Sequence, residues 1–301
     1  MSWILALLLV AAVGCAGPPP PPEPTGIDPL AYEIEAPDGT RALLFGSVHV
    51  AREADWELPA PVQQGLSRAE LLVLEIDLSR TSELEMVEIM LGLGELPPGK
   101  RLRQVVSRET WDLLAKRCAE LGLPLEALDA RKPWVVALQL VSMSLLEAGL
   151  LPEHGVERGL VATTRSLPIR GLETPFEQLS IFDNLPYPVQ DRMLREALRP
   201  SEDQTPELDA LLEAWRRGDG EAIEEILFRD RDDPQLARFY EATYDLRNLR
   251  MASSIDEILS EGRRAFVVVG AGHLVGRRGL PNVLREAGYR IRQVSGKRPG
   301  R

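Results

Sequence analysis

Apolar positions along the chain follow two rhythms. Short runs at residues 41–45, 71–74, 167–172 and 265–269 are continuous rather than alternating, and a fifth candidate at 289–294 closes the chain. Unbroken runs of this length read as strands covered on both faces. Between them the apolar spacing turns helical. Residues 61–68 join the first two strands, 280–287 join the last two, and Gly288 supplies a helix stop. Two longer helical regions, 82–164 and 175–262, intervene. Strand–helix–strand connections imply parallel pairing through right-handed crossovers. The predicted fold is therefore α/β: a mostly parallel central sheet with large helical insertions, starting near Leu30 and free of solenoid repeats.

Composition narrows the partners. The 301 residues carry 46 acidic and 35 basic side chains, a net charge of −11. That balance argues against nucleic acid, which rewards clustered Lys and Arg. Residues 4–13 form an uninterrupted apolar run, too short to span a bilayer and suited to a signal-peptide core. The run ends in Ala12-Val13-Gly14-Cys15, which resembles the lipobox of bacterial lipoproteins, although Met1-Ser2-Trp3 lacks the usual basic residue. After it comes Gly17-Pro18-Pro19-Pro20-Pro21-Pro22-Glu23-Pro24, a polyproline II tether rising ~3.1 Å per residue. The expected organisation is a signal peptide at 1–14, lipidated Cys15 with its tether at 15–29, one domain at 30–296 and a basic tail at 297–301. The expected location is periplasmic or outer-membrane, with the membrane reached through the lipid anchor. A plain secretory signal or a short membrane anchor is the alternative. Cys118, the other of two cysteines, then has no disulfide partner and reads as a small buried apolar side chain.

The candidate chemistry lies at strand ends. In open parallel sheets ligands bind just beyond the carboxyl ends of the strands. His49, Glu75, Glu173 and His273 each fall at such an end, so the fold can gather them despite their separation in sequence. Two of only three histidines share a Gly-x-x-His setting after a buried strand. Imidazoles plus carboxylates suit Zn²⁺, Mn²⁺ or Co²⁺, leaving a spare carboxylate to take a proton from metal-bound water. Gly46, Gly270 and Gly272 would let the backbone turn sharply near a ligand. Each residue also has a plainer reading: the histidines as hydrogen-bonded core residues, Glu75 paired with an arginine, Glu173 capping the helix that starts near Pro175. His154 reads as surface or capping. Arg247, beside Asn248, is either part of a solvated helix face or a guanidinium reaching into the site to hold a carboxylate or an anionic intermediate. No Gly-x-Ser-x-Gly elbow, P-loop or His-Glu-x-x-His occurs, and Gly270-Ala271-Gly272 lacks the spacing and following chain of a dinucleotide loop.

Four stretches carry a family resemblance: Leu44-Phe45-Gly46-Ser47-Val48-His49; Leu74-Glu75-Ile76-Asp77; Gly155-Val156-Glu157 with Gly171-Leu172-Glu173-Thr174-Pro175-Phe176-Glu177-Gln178-Leu179; and Val269-Gly270-Ala271-Gly272-His273-Leu274-Val275-Gly276. Together they resemble the TraB/PrgY/GumN family, to which the Tiki metalloproteases belong. Arg247-Asn248 also resembles a family motif. Glu157 stands where that family often has Asp, and Arg170 where it often has Val; neither is expected to touch the residues proposed to hold the metal. The resemblance implies an erythromycin-esterase/ChaN-like core and a divalent-metal-dependent hydrolase acting on a peptide or small molecule. In the expected arrangement His49, His273 and Glu173 hold the metal. Glu75 is the base and Arg247 stabilises the oxyanion, with the roles of the two glutamates exchangeable. The rivals are an esterase or amidase, and a non-catalytic lipoprotein binding haem or a peptide.

Overall fold

The computed structural model describes residues 28–52, 57–164 and 166–295. Cys15, the proline tether and the basic tail lie outside the described residues. Six strands, β1 (Ala31–Glu35), β2 (Arg41–Ser47), β3 (Leu71–Leu74), β4 (Ile169–Gly171), β5 (Ala265–Gly270) and β6 (Arg290–Gln293), form one sheet in the order β4-β3-β5-β2-β1-β6. The pairs β4–β3, β3–β5 and β5–β2 are parallel. β1 is antiparallel to both of its neighbours, β2 and β6. β6 therefore points the same way as β5, as a helical crossover requires, but lands beyond two intervening strands. β1 is the strand the apolar runs did not announce. In its Ala-Tyr-Glu-Ile-Glu sequence only Ala31 and Ile34 are buried, one on each face of the sheet, and its glutamates are not.

The helices are α1 (Ala60–Ser67), α2 (Glu83–Leu93), α3 (Leu102–Val105), α4 (Arg108–Leu121), α5 (Pro133–Glu147), α6 (Val156–Thr163), α7 (Pro175–Asp183), α8 (Tyr187–Ala197), α9 (Ser201–Arg216), α10 (Gly220–Leu227), α11 (Ala237–Tyr240), α12 (Leu246–Ser260) and α13 (Leu280–Glu286). The long helical regions of the sequence resolve into these shorter pieces, several of them opened by a side-chain cap. Ser82 caps α2, Ser107 caps α4 and Asp219 caps α10. Gly122 closes α4 at φ 66°, the left-handed conformation that glycine adopts without strain.

The sheet sorts its side chains by period two. Leu43, Phe45, Leu72, Leu74, Phe266 and Val268 join the core that holds Trp134 of α5 and Met193 of α8. Ala42, Leu44, Leu71, Val73, Val267 and Val269 join the opposite core, with Met251 and Ile255 of α12 and Leu284 of α13. Both faces are thus covered, which is why β3 and β5 are apolar at every position. Each such valine or leucine contributes roughly 1.5–3 kcal/mol on burial. Cys118 is free and buried, as expected. Among the described residues no helix is long and apolar enough to cross a membrane.

Candidate functional site

Four carboxyl ends of parallel strands supply the site. Along the order β4, β3, β5, β2 they present Glu173, Glu75, His273 and His49. Local features fix each one. Trp215 Nε1 donates to the Gly46 carbonyl at 2.7 Å, pinning the end of β2. The Glu173 N–H donates to the Glu75 carbonyl at 2.9 Å, extending the β3–β4 ladder past its last paired residues. Thr174 and Glu177 form a capping box that starts α7, so Glu173 is free of the capping role open to it from sequence. Between α11 and α12 the helix passes through one π turn, Glu241–Asp245. A π turn shifts helical phase, and such turns are frequent at functional sites. This one is followed at once by Arg247 and Asn248, both buried.

Arg247 is the hub. Its Nη2 donates to Glu75 Oε2 at 2.6 Å, and its Nε to Glu173 Oε1 and Oε2 at 3.0 and 3.1 Å. Its Nη1 faces His273 Nε2 at 2.9 Å and the Thr243 carbonyl at 3.3 Å. Glu75 also accepts from the Gly270 N–H at 2.6 Å and from Gln178 Nε2 at 3.1 Å. Asn248 Nδ2 donates to the Arg278 carbonyl, so its Oδ1, 2.6 Å from His273 Nδ1, is an acceptor. His273 therefore carries its proton on Nδ1 and turns the Nε2 lone pair inward. His49 mirrors it. Its Nδ1 donates to Glu157 Oε1 at 2.8 Å, and that oxygen also accepts from the Ser47 hydroxyl. Both Nε2 atoms lie near one atom, Glu75 Oε1, at 3.9 Å from His49 and 3.8 Å from His273.

These neighbours set the protonation states. Burial works against charge on His49, but Glu157 and then Glu75 outweigh it and raise its pKa to about 9. Burial, reinforced by Arg247, lowers His273 to about 3, so this ring is neutral. Burial would raise Glu75, yet Arg247 and the two imidazoles hold it well below the carboxylate range. Glu173 goes the other way: burial raises it despite Arg247.

The structure thus gathers the four strand-end residues His49, Glu75, Glu173 and His273, with His154 apart from them in the 3-10 turn Pro152–His154. Three findings amend the sequence reading. Glu157, expected to stay clear of the site, holds His49. Gln178, not singled out, bonds Glu75. Glu173 spends both oxygens on Arg247 rather than standing as an open ligand. The glycines matter for space rather than for turning, since none of Gly46, Gly270 and Gly272 has a positive φ. A Cβ at Gly270 would lie 3.0 Å from His49 Nε2, and one at Gly272 2.8 Å from Tyr244. Among the described residues no group of three or more His, Cys, Asp or Glu is placed, as it stands, to hold a metal ion.

A helix-covered, mostly parallel sheet whose strand ends gather two Gly-x-x-His histidines, two glutamates and a buried arginine defines a class of α/β protein. The chain belongs to the TraB/PrgY/gumN family, whose sequence profile matches residues 30–293. It is similar to the proteins named "Uncharacterized protein YbaP" of Shigella flexneri and Escherichia coli strain K12, 25% identical to each over 264 residues. Each alignment covers 85% of this chain and 92% of the relative. No solved structure matches.

Proposed function

We propose that this protein is a divalent-metal-dependent hydrolase of acyl bonds, in which His49, His273 and Glu75 hold the ion. The observation that carries the reading is the convergence of both Nε2 atoms on Glu75 Oε1, at 3.9 and 3.8 Å. Each ring has its Nδ1 fixed by an acceptor, the arrangement that orients metal-binding histidines. Three further features fit a small cation. Voids of about 20 and 40 Å³ touch His49, one beside Glu75 and the other beside His273; each exceeds the ~10–15 Å³ that one water needs. Three carboxylates, Glu75, Glu157 and Glu173, stand against one guanidinium, and a proton on His49 offsets only part of that excess. Arg247 Nη1 has a second acceptor in Thr243, so His273 Nε2 can serve an ion without stranding the arginine.

A bound ion of the Zn²⁺, Mn²⁺ or Co²⁺ type would supply Lewis acidity and lower the pKa of water toward neutrality. Glu173 is the better proton acceptor of the two glutamates. Its pKa is raised toward working pH, and it lines a cleft of about 800 Å³ between α7 and α12. Arg247 commits Nε, both Nη1 hydrogens and one Nη2 hydrogen to Glu173, His273, Thr243 and Glu75. One Nη2 N–H of its five donors is left, and the Nη1 N–H facing His273 is released when that ring serves the ion, so that a developing oxyanion finds donors there. A haem-binding reading has less support, because voids of 20 and 40 Å³ beside the histidines cannot take a haem.

The test is metal content and peptide or ester hydrolysis after separate loading with Mn²⁺, Co²⁺ and Zn²⁺. About one ion per chain is expected, lost in His49→Ala and His273→Ala with folding retained. Wild-type protein that takes up none of the three sinks the reading. We also propose that the protein is exported and acylated at Cys15. Cys15→Ser should then release it from membranes, whereas unchanged association assigns the anchor to residues 4–13.

A further inference from the structure

A second cavity opens on the far side of Gln178. It encloses about 420 Å³ between α2, α5 and α7, within the ~300–1,000 Å³ usual for small-molecule sites. Met86, Met90, Val136, Leu140, Met143 and Phe182 form its walls, and the polar side chains in the lining are Gln139, Ser142 and Gln178. Three methionines make a wall that adapts to a flexible apolar guest. The cavity opens to solvent where its lining includes Leu123, which is 38% exposed. Gln178, in the same lining, is buried, and its Nε2 donates to Glu75 Oε2 at 3.1 Å. Its amide oxygen has no hydrogen-bond partner among the described residues. The cavity thus runs from solvent to a single side chain short of the site.

We propose that this cavity binds an aliphatic acyl chain, so that the substrate of the adjacent site is a long-chain acyl ester or amide. An apolar side chain of a peptide would leave much of 420 Å³ empty, and empty apolar volume forfeits contacts. An acyl chain is flexible enough to fill an apolar space of this volume and carries a polar head at one end only. Here the lining offers the Gln178 amide, with Glu75 directly behind it. Naming the chain as part of a substrate rests on the hydrolase reading; the binding of the chain does not.

The experiment separates the two. Fatty acids of increasing length, from hexanoate to hexadecanoate, are titrated into the full chain by calorimetry below their micellar concentrations. Binding is expected at one site, tightening about fourfold per methylene, from ~0.8 kcal/mol for each CH₂ buried, and levelling off once the cavity is full. Met143→Trp, which narrows the cavity, should weaken dodecanoate at least tenfold. Leu123→Trp at the half-exposed mouth should do the same if Met143→Trp misfolds. Either variant should hydrolyse short-chain esters as wild type does and lose the preference for long chains. No binding by wild type, or equal binding by wild type and Leu123→Trp, overturns the proposal. So does a concentration-dependent dimer that dodecanoate dissociates, which would assign the cavity to a second copy. Chain binding without hydrolysis of any acyl ester or amide leaves the pocket standing and removes the hydrolase reading.

Discussion

His49 Nδ1 donates to Glu157 Oε1 at 2.8 Å, joining the end of β2 to the first turn of α6 across 108 residues of sequence. The Val156 N–H donates to the Val48 carbonyl at 3.1 Å, and a Cβ at Gly155 would meet the His49 carbonyl at 2.3 Å. The two segments therefore touch through backbone before any side chain is added. This contact sets the ring of His49 and raises its pKa, so it governs how Nε2 meets Glu75. Glu157→Gln keeps the shape and a hydrogen bond but loses the charge. It should lower metal affinity by ~10–100-fold, as removing such partners does, with folding preserved. Metal titration of the variant checks this, and unchanged affinity would remove Glu157 from the site.

The two glutamates separate by substitution. With Glu173 as proton acceptor, Glu173→Gln should retain the ion and lose ~10²–10⁴ in rate. Glu75→Gln should lose ion and rate together. Metal stoichiometry and hydrolysis measured on both variants decide it. The opposite pattern, metal kept and rate lost in Glu75→Gln, exchanges the roles.

Arg247 is buried between two carboxylates, and breaking a buried ion pair costs ~3–5 kcal/mol because the partner is left uncompensated. Arg247→Met should destabilise by about that amount in urea unfolding. Arg247→Lys keeps the charge but cannot reach Glu75, Glu173 and His273 at once, so it should unfold between the two. A methionine variant as stable as wild type would mean the guanidinium does not hold the cluster.

Much of this was legible in the chain because burial on two faces leaves a plain mark. Residues 71–74 became β3 unchanged, and four of the five apolar runs lead within a few residues into His49, Glu75, Glu173 and His273. β1 was missed because a strand with exposed glutamates resembles a loop when read by apolar content alone. Glu157 and Gln178 were missed for another reason. Their contacts cross 108 and 103 residues, and nothing local marks a glutamate in a helix's first turn as a histidine's partner. The π turn before Arg247 has no sequence signature either.

In metal-free protein the histidines give stability a pH dependence. His49 has a folded pKa of about 9 against an ordinary 6.5, so the folded state binds more protons between those values. Its contribution is complete below pH ~6.5 and is lost as pH rises toward 9. His273, lowered to about 3, works in the opposite sense. The unfolded chain takes up its proton below 6.5, and stability falls as the solution is acidified. Thermal melting with chelator should therefore decline on the alkaline side of pH 6.5, and Glu157→Gln should flatten that decline. A wild-type melting temperature that does not change between pH 6.5 and 9 would show that His49 is not held protonated.

The two glycines of Gly270-Ala271-Gly272 offer the sharpest separation of site from scaffold. Gly270 has φ −53° and ψ 139°, angles open to any residue, so alanine there brings no backbone strain. Its added methyl would sit 3.0 Å from His49 Nε2 and 3.2 Å from Glu75 Oε1, in the space the proposed ion needs. At Gly272 the methyl instead meets Tyr244 Cε1 at 2.8 Å and Leu227 Cδ1 at 2.9 Å, both buried. Overpacking of that kind costs ~1–3 kcal/mol. Gly270→Ala should thus bind metal and hydrolyse poorly while melting close to wild type. Gly272→Ala should melt lower while retaining metal in its folded fraction. Measuring both properties on both variants gives four values, and the proposal requires them to cross. If Gly270→Ala keeps full metal affinity, the space between His49 and Glu75 is not where the ion binds.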